Sequence, residues 1–572
     1  MTTFQRPGVY LTEQLSGPNT PTTTTSPSAA AFIGEHWRGP TGISIQCNSW
    51  LDFVRYFGGF NPAQTATMTL ANPYLAFSVY SFFSNGGQTC YVQRVTNSST
   101  TSPAVAGATA KIALLTTTTT AQTALTLYAW NPGNFTSTTP PNTALCNPGT
   151  WGNGSMSPIP MGLYVDVITN TATARFTLNI YYGGNTSQYM VESWSDLSMS
   201  SSDPRYFPTV INADVTGSTY VLAVDNLAAT ASPGNMPNPT NTVGTANPAA
   251  FASGVDPTSL IISGSYVNPT NADWTNVLSY NNAAAGLDKV SDIVNLNLPG
   301  VSDKTILTVA QTYASPTSSG RPGTFLVVDP PAANTPANVL TWANGASPLT
   351  ALSSTAVYYP WVNASNPAST NLQSVITLPP GGFVCGQMAA MDVKTGIWAA
   401  PAGTSTFLRN VVSAERQLSA GDLNGLNSGN VNALRTLPNN QVVIWGTRTL
   451  QPGYATMYVP IRRTLNYIEA TLTNMLSFAV FQPNDQILWT QISASCNKFL
   501  SSMWGQGAFP GSNSAQSYYV VCDSSNNTPS TVALGVVNTN VGVALQYPAE
   551  FINLTISQFQ SSGSVTVTST NS

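Results

Sequence analysis

The chain has 572 residues, a formal net charge of -4 and 42% hydrophobic residues, but only 7% of it is charged, against about 25% in an ordinary soluble protein. The apolar share excludes a disordered chain, and the length exceeds what one compact core holds, so roughly three or four domains are expected. The slightly acidic balance gives no general basic footprint for nucleic acid, and a single histidine, His36, means that any catalytic triad or histidine metal site must be built around that one ring.

Residues 1–28 read as an arm. RPGVYLTEQ carries a short extended signal over Val9, Tyr10, Leu11 and Thr12, and the Pro and Thr tract Pro18–Pro27 after it has too few apolar groups to pack. Phe4, Arg6 and Pro7 break any early apolar run, so no secretory leader is expected, and no stretch approaches the length that spans a bilayer. Synthesis and folding in a cytoplasm follow. Cys47, Cys90, Cys146, Cys385, Cys496 and Cys522 lie far apart with no CxxC spacing and read as free, buried thiols.

From Ala29 the chain turns globular. AAAFIG is a buried strand; SWLDFVRYFGG puts Leu51, Val54 and Phe57 on one helical face behind a Ser49 cap; a second helix ends at Asn85 and Gly86; and Thr89 to Val95 alternates as a strand. This is the opening of an α/β core completed much later, with 29–96 as its first part. Residues 97–272 differ: alternating runs between Asn, Pro and Gly clusters suggest one inserted β-sandwich or barrel-like unit, or two.

The core resumes near Trp274, with 273–400 as its second part. A strand over Val290 to Gly300, a helix behind a Ser302 cap and a strand over Thr324 to Pro331 argue for a parallel βαβ crossover, and Ala356 to Trp361 and Val384 to Met391 read as further strands. Residues 401–547 read as a C-terminal domain. After a strand at Val442 to Trp445, Ile461, Leu465, Ile468, Leu472 and Leu476 recur at helical spacing behind Pro460. A second helix follows Asn484 and Asp485, with Leu488, Ile492, Cys496, Phe499 and Met503 on one side and Gly505 at its end, and strand-like stretches run over Ser517 to Asp523 and Val532 to Tyr547. Residues 548–572 form a second arm, in which Ile552, Leu554 and Ile556 alternate with polar residues. The fold class is therefore mixed α/β, assembled from discontinuous segments, with a β-rich insertion and extended terminal arms.

Charge is polarised along the chain. Lys394, Arg409, Arg416, Arg435, Arg448, Arg462 and Arg463 face only Glu415 and Asp422 between 394 and 463, whereas twelve acidic and five basic residues lie between Asp166 and Asp329. Such a chain suits a subunit with one face toward a negatively charged partner. Enzyme motifs are missing: there is no GxSxG, GxxxxGK[ST], HExxH or GxGxxG after a strand. Asp288 and Asp292, at i and i+4, read as a solvated surface pair rather than a hydrolytic one. No cofactor and no metal are expected. Arg462 and Arg463 sit in a first helical turn, where the macrodipole disfavours positive charge by about 0.3–1 kcal/mol each; either a buried carboxylate of the same chain offsets it or an acidic group on a neighbouring subunit or an enclosed tube does. Lys498, the only charge in its helix after Asp485, is a second candidate for such a contact.

The order of certain words is familiar. RPGVYLTE (6–13), FIGEHWRGP (32–40), FFSNGGQTCYVQRV (82–95), YYPWV (358–362), TGIWAAPAG (395–403), WGTRTL (445–450), VPIRRTLNYIE (459–469), FQPND (481–485) and YPAEFI (547–552) together resemble the contractile tail sheath proteins of phages and related injection machines. The resemblance covers about residues 1–96 and 274–560. It implies a non-enzymatic subunit that stacks as hexameric rings into a helical sheath around a tail tube, assembled in a bacterial cytoplasm, and that shortens to drive the tube through an envelope. The implied partners are further copies of the chain, the tube protein, and baseplate and terminator proteins, without direct nucleic-acid contact or membrane insertion. It also places the 97–272 insertion on the outer surface. In that setting Val9 to Thr12 and Ile552 to Ile556 are expected to add as strands to neighbouring subunits. A rival reading, a secreted surface-layer or adhesive protein, rests on the Thr and Asn content and low Lys; the absent leader and the α/β core count against it.

Overall fold

The computed structural model describes residues 28–36, 43–60, 73–95, 111–115, 123–129, 163–182, 190–213, 217–218, 220–225, 236–237, 249–250, 270–280, 286–290, 292–316, 320–345, 347–369, 373–453 and 455–551. β1 (Ala29–Glu35), β2 (Ile45–Cys47), α1 (Trp50–Phe57), α2 (Leu75–Ser84) and β3 (Cys90–Val95) come first. The insertion holds β4 (Lys111–Leu115), β5 (Thr123–Ala129), β6 (Leu163–Asn170), β7 (Arg175–Tyr182), β8 (Met190–Leu197), α3 (Phe207–Ile211), β9 (Val221–Asp225) and β10 (Ala249–Ala250). Then follow α4 (Asn271–Val277), β11 (Val294–Asn297), α5 (Lys304–Tyr313), β12 (Thr324–Val328), α6 (Pro336–Asn344), β13 (Thr355–Tyr359), β14 (Val362–Ser365), β15 (Val375–Leu378), α7 (Gly381–Lys394), β16 (Val411–Ala414), α8 (Ala420–Ser428), β17 (Val431–Thr436) and β18 (Val442–Ile444). The chain closes with α9 (Val459–Met475), α10 (Gln486–Gly505), α11 (Ser514–Ser517), β19 (Tyr518–Val521), α12 (Pro529–Ala533) and β20 (Asn540–Val543).

The central sheet runs β18-β17-β13-β12-β11-β1-β3-β2. β17 through β3 are parallel, and β18 and β2 close the two edges antiparallel. Residue alternation decides which side chains go where. Ala30, Phe32, Phe325, Val327, Ala356 and Tyr358 meet α1, α2 and α7 on one face. Ala29, Ala31, Leu326, Val328, Val357 and Tyr359 meet α4, α5, α6 and α8 on the other. Because β1 lies between β11 and β3, the N-terminal block completes a sheet built mostly from residues some 260 positions later. The expected βαβ crossover is present as β11, α5, β12. The sheet takes in β17 and β18, past the boundary expected near 400. A separate sheet, β15-β14-β16, flanks it.

Three local readings are corrected. In α1 the buried face is Phe53 and Phe57, while Leu51 is 76% exposed. Aromatic area decides the rotation: Phe53 stacks on Phe57 and Trp50, and both phenylalanine rings meet the ring of His36. The stretch Val384 to Met391, read as a strand, is helix α7, whose glycines allow unusually close packing on α2: a Cβ at Gly382 would stand 2.5 Å from Ser78 O, and one at Gly386 2.7 Å from Phe82 O. The α5 cap is Asp303 rather than Ser302; its carboxylate accepts from the amides of Thr305 and Ile306, as a charged acceptor at a helix N-terminus should.

In the insertion, β10-β6-β7-β8 and β4-β5-β9 are antiparallel sheets. Leu125 and Leu127 of one and Val165, Val167, Leu178 and Ile180 of the other share one core with Phe207, which makes this unit a sandwich. Among the described residues no helix is long and apolar enough to cross a membrane. Cys47, Cys90, Cys385, Cys496 and Cys522 are free and buried; Cys146 lies outside the described residues.

Candidate assembly surface

The C-terminal unit is built on α9 and α10. Pro460 stands in the first turn of α9, where its missing amide costs nothing. Asp485 caps α10 by accepting from the amides of Ile487 and Leu488, 2.9 Å each. In α10 the buried face is the one the periodicity predicts, Leu488, Ile492, Cys496, Phe499 and Met503. In α9 Ile461, Leu465, Ile468 and Leu472 are buried as expected, but so is every residue from Val459 to Ile468, so this helix is enclosed on all sides over its first half rather than on one face. Leu476 packs partly buried beside them.

Arg462 and Arg463 are 1% and 2% exposed. The Arg463 guanidinium pairs with both carboxylate oxygens of Asp392 in α7 and donates from Nε to Asn295 Oδ1 at 3.0 Å. Arg462 donates to Asn466 Oδ1 and to Glu469 Oε1, both at 2.7 Å. Of the two alternatives for offsetting these charges, the described chain therefore carries the intramolecular carboxylates, and a face toward a tube or neighbour is no longer needed to account for either arginine. Desolvation pushes the Asp392 carboxyl up, and the facing guanidinium pulls against it. Lys498 is exposed on the outer side of α10.

After α10 the chain forms a sheet of two strands alone among the described residues. β19 and β20 are antiparallel, with Tyr518 opposite Val543 and Val520 opposite Val541. Ala544 N donates to Ser517 O at 2.8 Å just past the end of the ladder, a phase that makes 519/542 and 521/540 the mutually bonded pairs. The backbone groups of Val520 on one edge, and of Val541 and Val543 on the other, are thereby turned outward. Tyr518, Val520, Val541 and Val543 seat one face on the C-terminal core. Two strands alone are marginal, and an unpaired edge is a template for another strand. Large apolar side chains also stand exposed in this unit: Phe481 at 86%, Leu534 at 75%, Ile487 at 68%, Tyr547 at 62% and Phe551 at 77%. Phe481 holds a left-handed backbone at φ 66°, which a bulky residue adopts only at a cost. The stretch Val532 to Tyr547, read as strand-like, is one turn of helix followed by β20. The strand candidates Val9, Tyr10, Leu11 and Thr12, and Ile552, Leu554 and Ile556, lie outside the described residues.

The residues weighed for catalysis are occupied structurally. His36 is buried, its Nε2 2.8 Å from Phe57 O, and its own carbonyl accepts from Arg94 Nε. Asp288 accepts from the Tyr313 hydroxyl at 2.6 Å and Asp292 from the Tyr91 hydroxyl at 2.7 Å, so each carboxylate anchors a different tyrosine.

Residues 268–450 match the phage tail sheath protein central domain. The likeness is to contractile tail sheath proteins. The sheath fold extends beyond that segment: a sheath complex of an extracellular contractile injection system (PVC) in its contracted state aligns with a TM-score of 0.52 at 19% identity, over 98% of this chain and 99% of that one. A chain of the anti-feeding prophage baseplate aligns with 0.52 at 17% identity over 98% and 100%, and a sheath tail protein of Listeria innocua with 0.52 at 11% over 89% and 90%. No curated protein matches in sequence.

Sequence reasoning missed one ion pair at the edge of this sheath-like unit. Arg448 Nη2 and Nε reach Glu550 Oε2 at 2.7 and 3.2 Å, and the Tyr458 hydroxyl donates to the same oxygen at 3.0 Å. A signal for it existed, since WGTRTL, the tyrosine before VPIRRTL and YPAEFI each supply one member.

Proposed function

We propose that this protein is the structural subunit of a contractile sheath, stacking as hexameric rings around a tail tube and shortening to drive that tube through a target envelope. The observation that carries the reading is the two-stranded sheet β19-β20 with outward backbone groups on both edges, mounted on a well-packed helical pair. Neighbouring copies lend the missing strands: Val9 to Thr12 from one and Ile552 to Ile556 from another. Each added backbone hydrogen bond contributes about 0.5–1.5 kcal/mol net, and such bonds survive rotation of the bodies because they hold only the ribbon. The Pro and Thr tract Pro18–Pro27 is the spacer for the first ribbon. Energy is stored in subunit contacts during assembly, so no nucleotide or cofactor takes part. The fold likeness to sheath and baseplate chains supports self-assembly and docking to a baseplate; the tube and terminator complete the set of partners. Lys498 faces the tube or an adjacent copy.

Electron microscopy of the purified full-length protein tests the reading. Helical tubes with a central bore are expected, and a variant ending at Phe551 should stay folded and monomeric. Planar lattices of the intact protein, or tubes of the truncated one, would overturn the strand-lending account.

A further inference from the structure

The last described residues do not simply trail away from β20. Gln546 Nε2 donates to Gly507 O at 2.9 Å just beyond α10. Tyr547 meets Tyr458 edge to face at 6.2 Å, and Glu550 receives the three hydrogen bonds from Arg448 and Tyr458 described above. Burial alone would raise the Glu550 carboxyl, but its bonds from Arg448, Asn427 and Tyr458 together hold it below the ordinary glutamate range. The stretch is thus fastened at successive points across the body, and the last fastening is the charged one.

What Arg448 is fastened to matters as much. Its amide donates to Asn432 Oδ1 at 2.6 Å and its carbonyl accepts from Asn432 Nδ2 at 2.7 Å, while the same Nδ2 reaches Val357 O. Asn432 belongs to β17 and Val357 to β13, inside the central sheet. Arg448 Nη1 also donates to Asn427 O in α8 at 3.1 Å, and Arg448 bridges backbone to backbone with Tyr458 at the start of α9. Gly446 permits the approach, since a Cβ there would stand 2.8 Å from Asn432 Oδ1. The path from Glu550 therefore runs through one guanidinium into two parallel strands of the α/β body.

We propose that Arg448, Tyr458 and Glu550 form a root clamp that fixes where the C-terminal segment departs and couples it mechanically to the central sheet rather than to the β19-β20 sheet from which it emerges. The inference rests on the strand-lending reading. A segment lent to a neighbour transmits the movement of whatever it is rooted in; with the clamp closed, that is the eight-stranded sheet, and with it open the load falls on β20, one strand of a marginal pair. These are positioning residues. They hold Phe551 in place and bond to no partner themselves.

The test uses the full-length protein, its Glu550→Gln, Arg448→Gln and Tyr458→Phe variants, the charge-swapped double variant Arg448→Glu with Glu550→Arg, and the variant ending at Phe551. Two quantities are read: the concentration needed for tube formation, and protease cleavage between 544 and 551 in the unassembled protein. Glu550→Gln and Arg448→Gln should raise the assembly concentration about tenfold and speed cleavage in that stretch, with the thermal midpoint little changed; Tyr458→Phe should fall between, and the swap should recover part of both. If the truncated variant fails to assemble while Glu550→Gln and Arg448→Gln assemble and resist protease as the parent does, the clamp is overturned and strand lending stands. If the truncated variant assembles, strand lending falls, and protease resistance equal to the parent in both clamp variants overturns the clamp as well.

Discussion

Arg463, in the first turn of α9, closes on Asp392, in the last turn of α7, with side chains 2% and 0% exposed. This buried bidentate pair, with Asn295 of β11 on the remaining donor, joins the C-terminal helices to the central sheet. Its two members are 71 residues apart in sequence and become partners only once the chain has folded.

Removing one member should cost more than removing both. Arg463→Met leaves Asp392 buried and uncompensated, a loss of about 3–5 kcal/mol, whereas Arg463→Met with Asp392→Leu should regain most of it. Denaturant unfolding of the parent, Arg463→Met, Asp392→Leu and the double variant measures the coupling; additive losses would show that the pair does not act as a unit.

Asp329 gives a pH dependence of defined sign. Burial pushes its carboxyl up to about 6 from 3.8, against the bonds it accepts from Asn297 Nδ2 and from the amides of Gly300 and Gly381. A folded value above the unfolded one means that the folded state holds the proton more tightly. The contribution is complete below pH 3.8, is lost as pH rises through 6, and amounts to about 3 kcal/mol. Asp329→Asn cannot titrate and turns an amide NH2 toward those donors, so it should be destabilised by about 1–3 kcal/mol at pH 7, and the gap to the parent should widen as pH falls to 4. A constant gap from pH 7 to pH 4 would contradict the assignment.

Gly386 separates helix propensity from packing. Alanine is the better helix former by about 1 kcal/mol, yet its Cβ would meet Phe82 O and Asn85 Cβ at 2.7 Å. Gly386→Ala should therefore lower the thermal midpoint, and Gly421→Ala, with only Ser419 Oγ nearby at 3.8 Å, should not.

The corrected face of α1 is directly measurable. Phe53→Ala should cost about 3–5 kcal/mol and Leu51→Ala less than about 0.5 kcal/mol. Equal losses would restore the face that the spacing of Leu51, Val54 and Phe57 suggested.

The sequence by itself determined the elements whose signal is local. The face of α10, the caps at Ser49 and Asp485, and the crossover of β11, α5 and β12 follow from periodicity and from side chains that bond amides two or three residues away. Only the tertiary structure decided the rest. Val384 to Met391 is apolar but for Gln387 and carries one glycine, Gly386, so its pattern suits a strand as well as a helix, and the close approach of α2 chose the helix. The rotation of α1 depends on which aromatic rings await it, and those rings come from His36, Phe60 and Tyr80. Charges behave the same way: Arg462, Arg463 and Arg448 announce that something must answer them, but a guanidinium has no preferred sequence distance to its carboxylate, and the answers at Glu469, Asp392 and Glu550 lie 7, 71 and 102 residues away. Local periodicity is enforced by backbone geometry every few residues, whereas long-range pairing is enforced only once the chain has closed on itself.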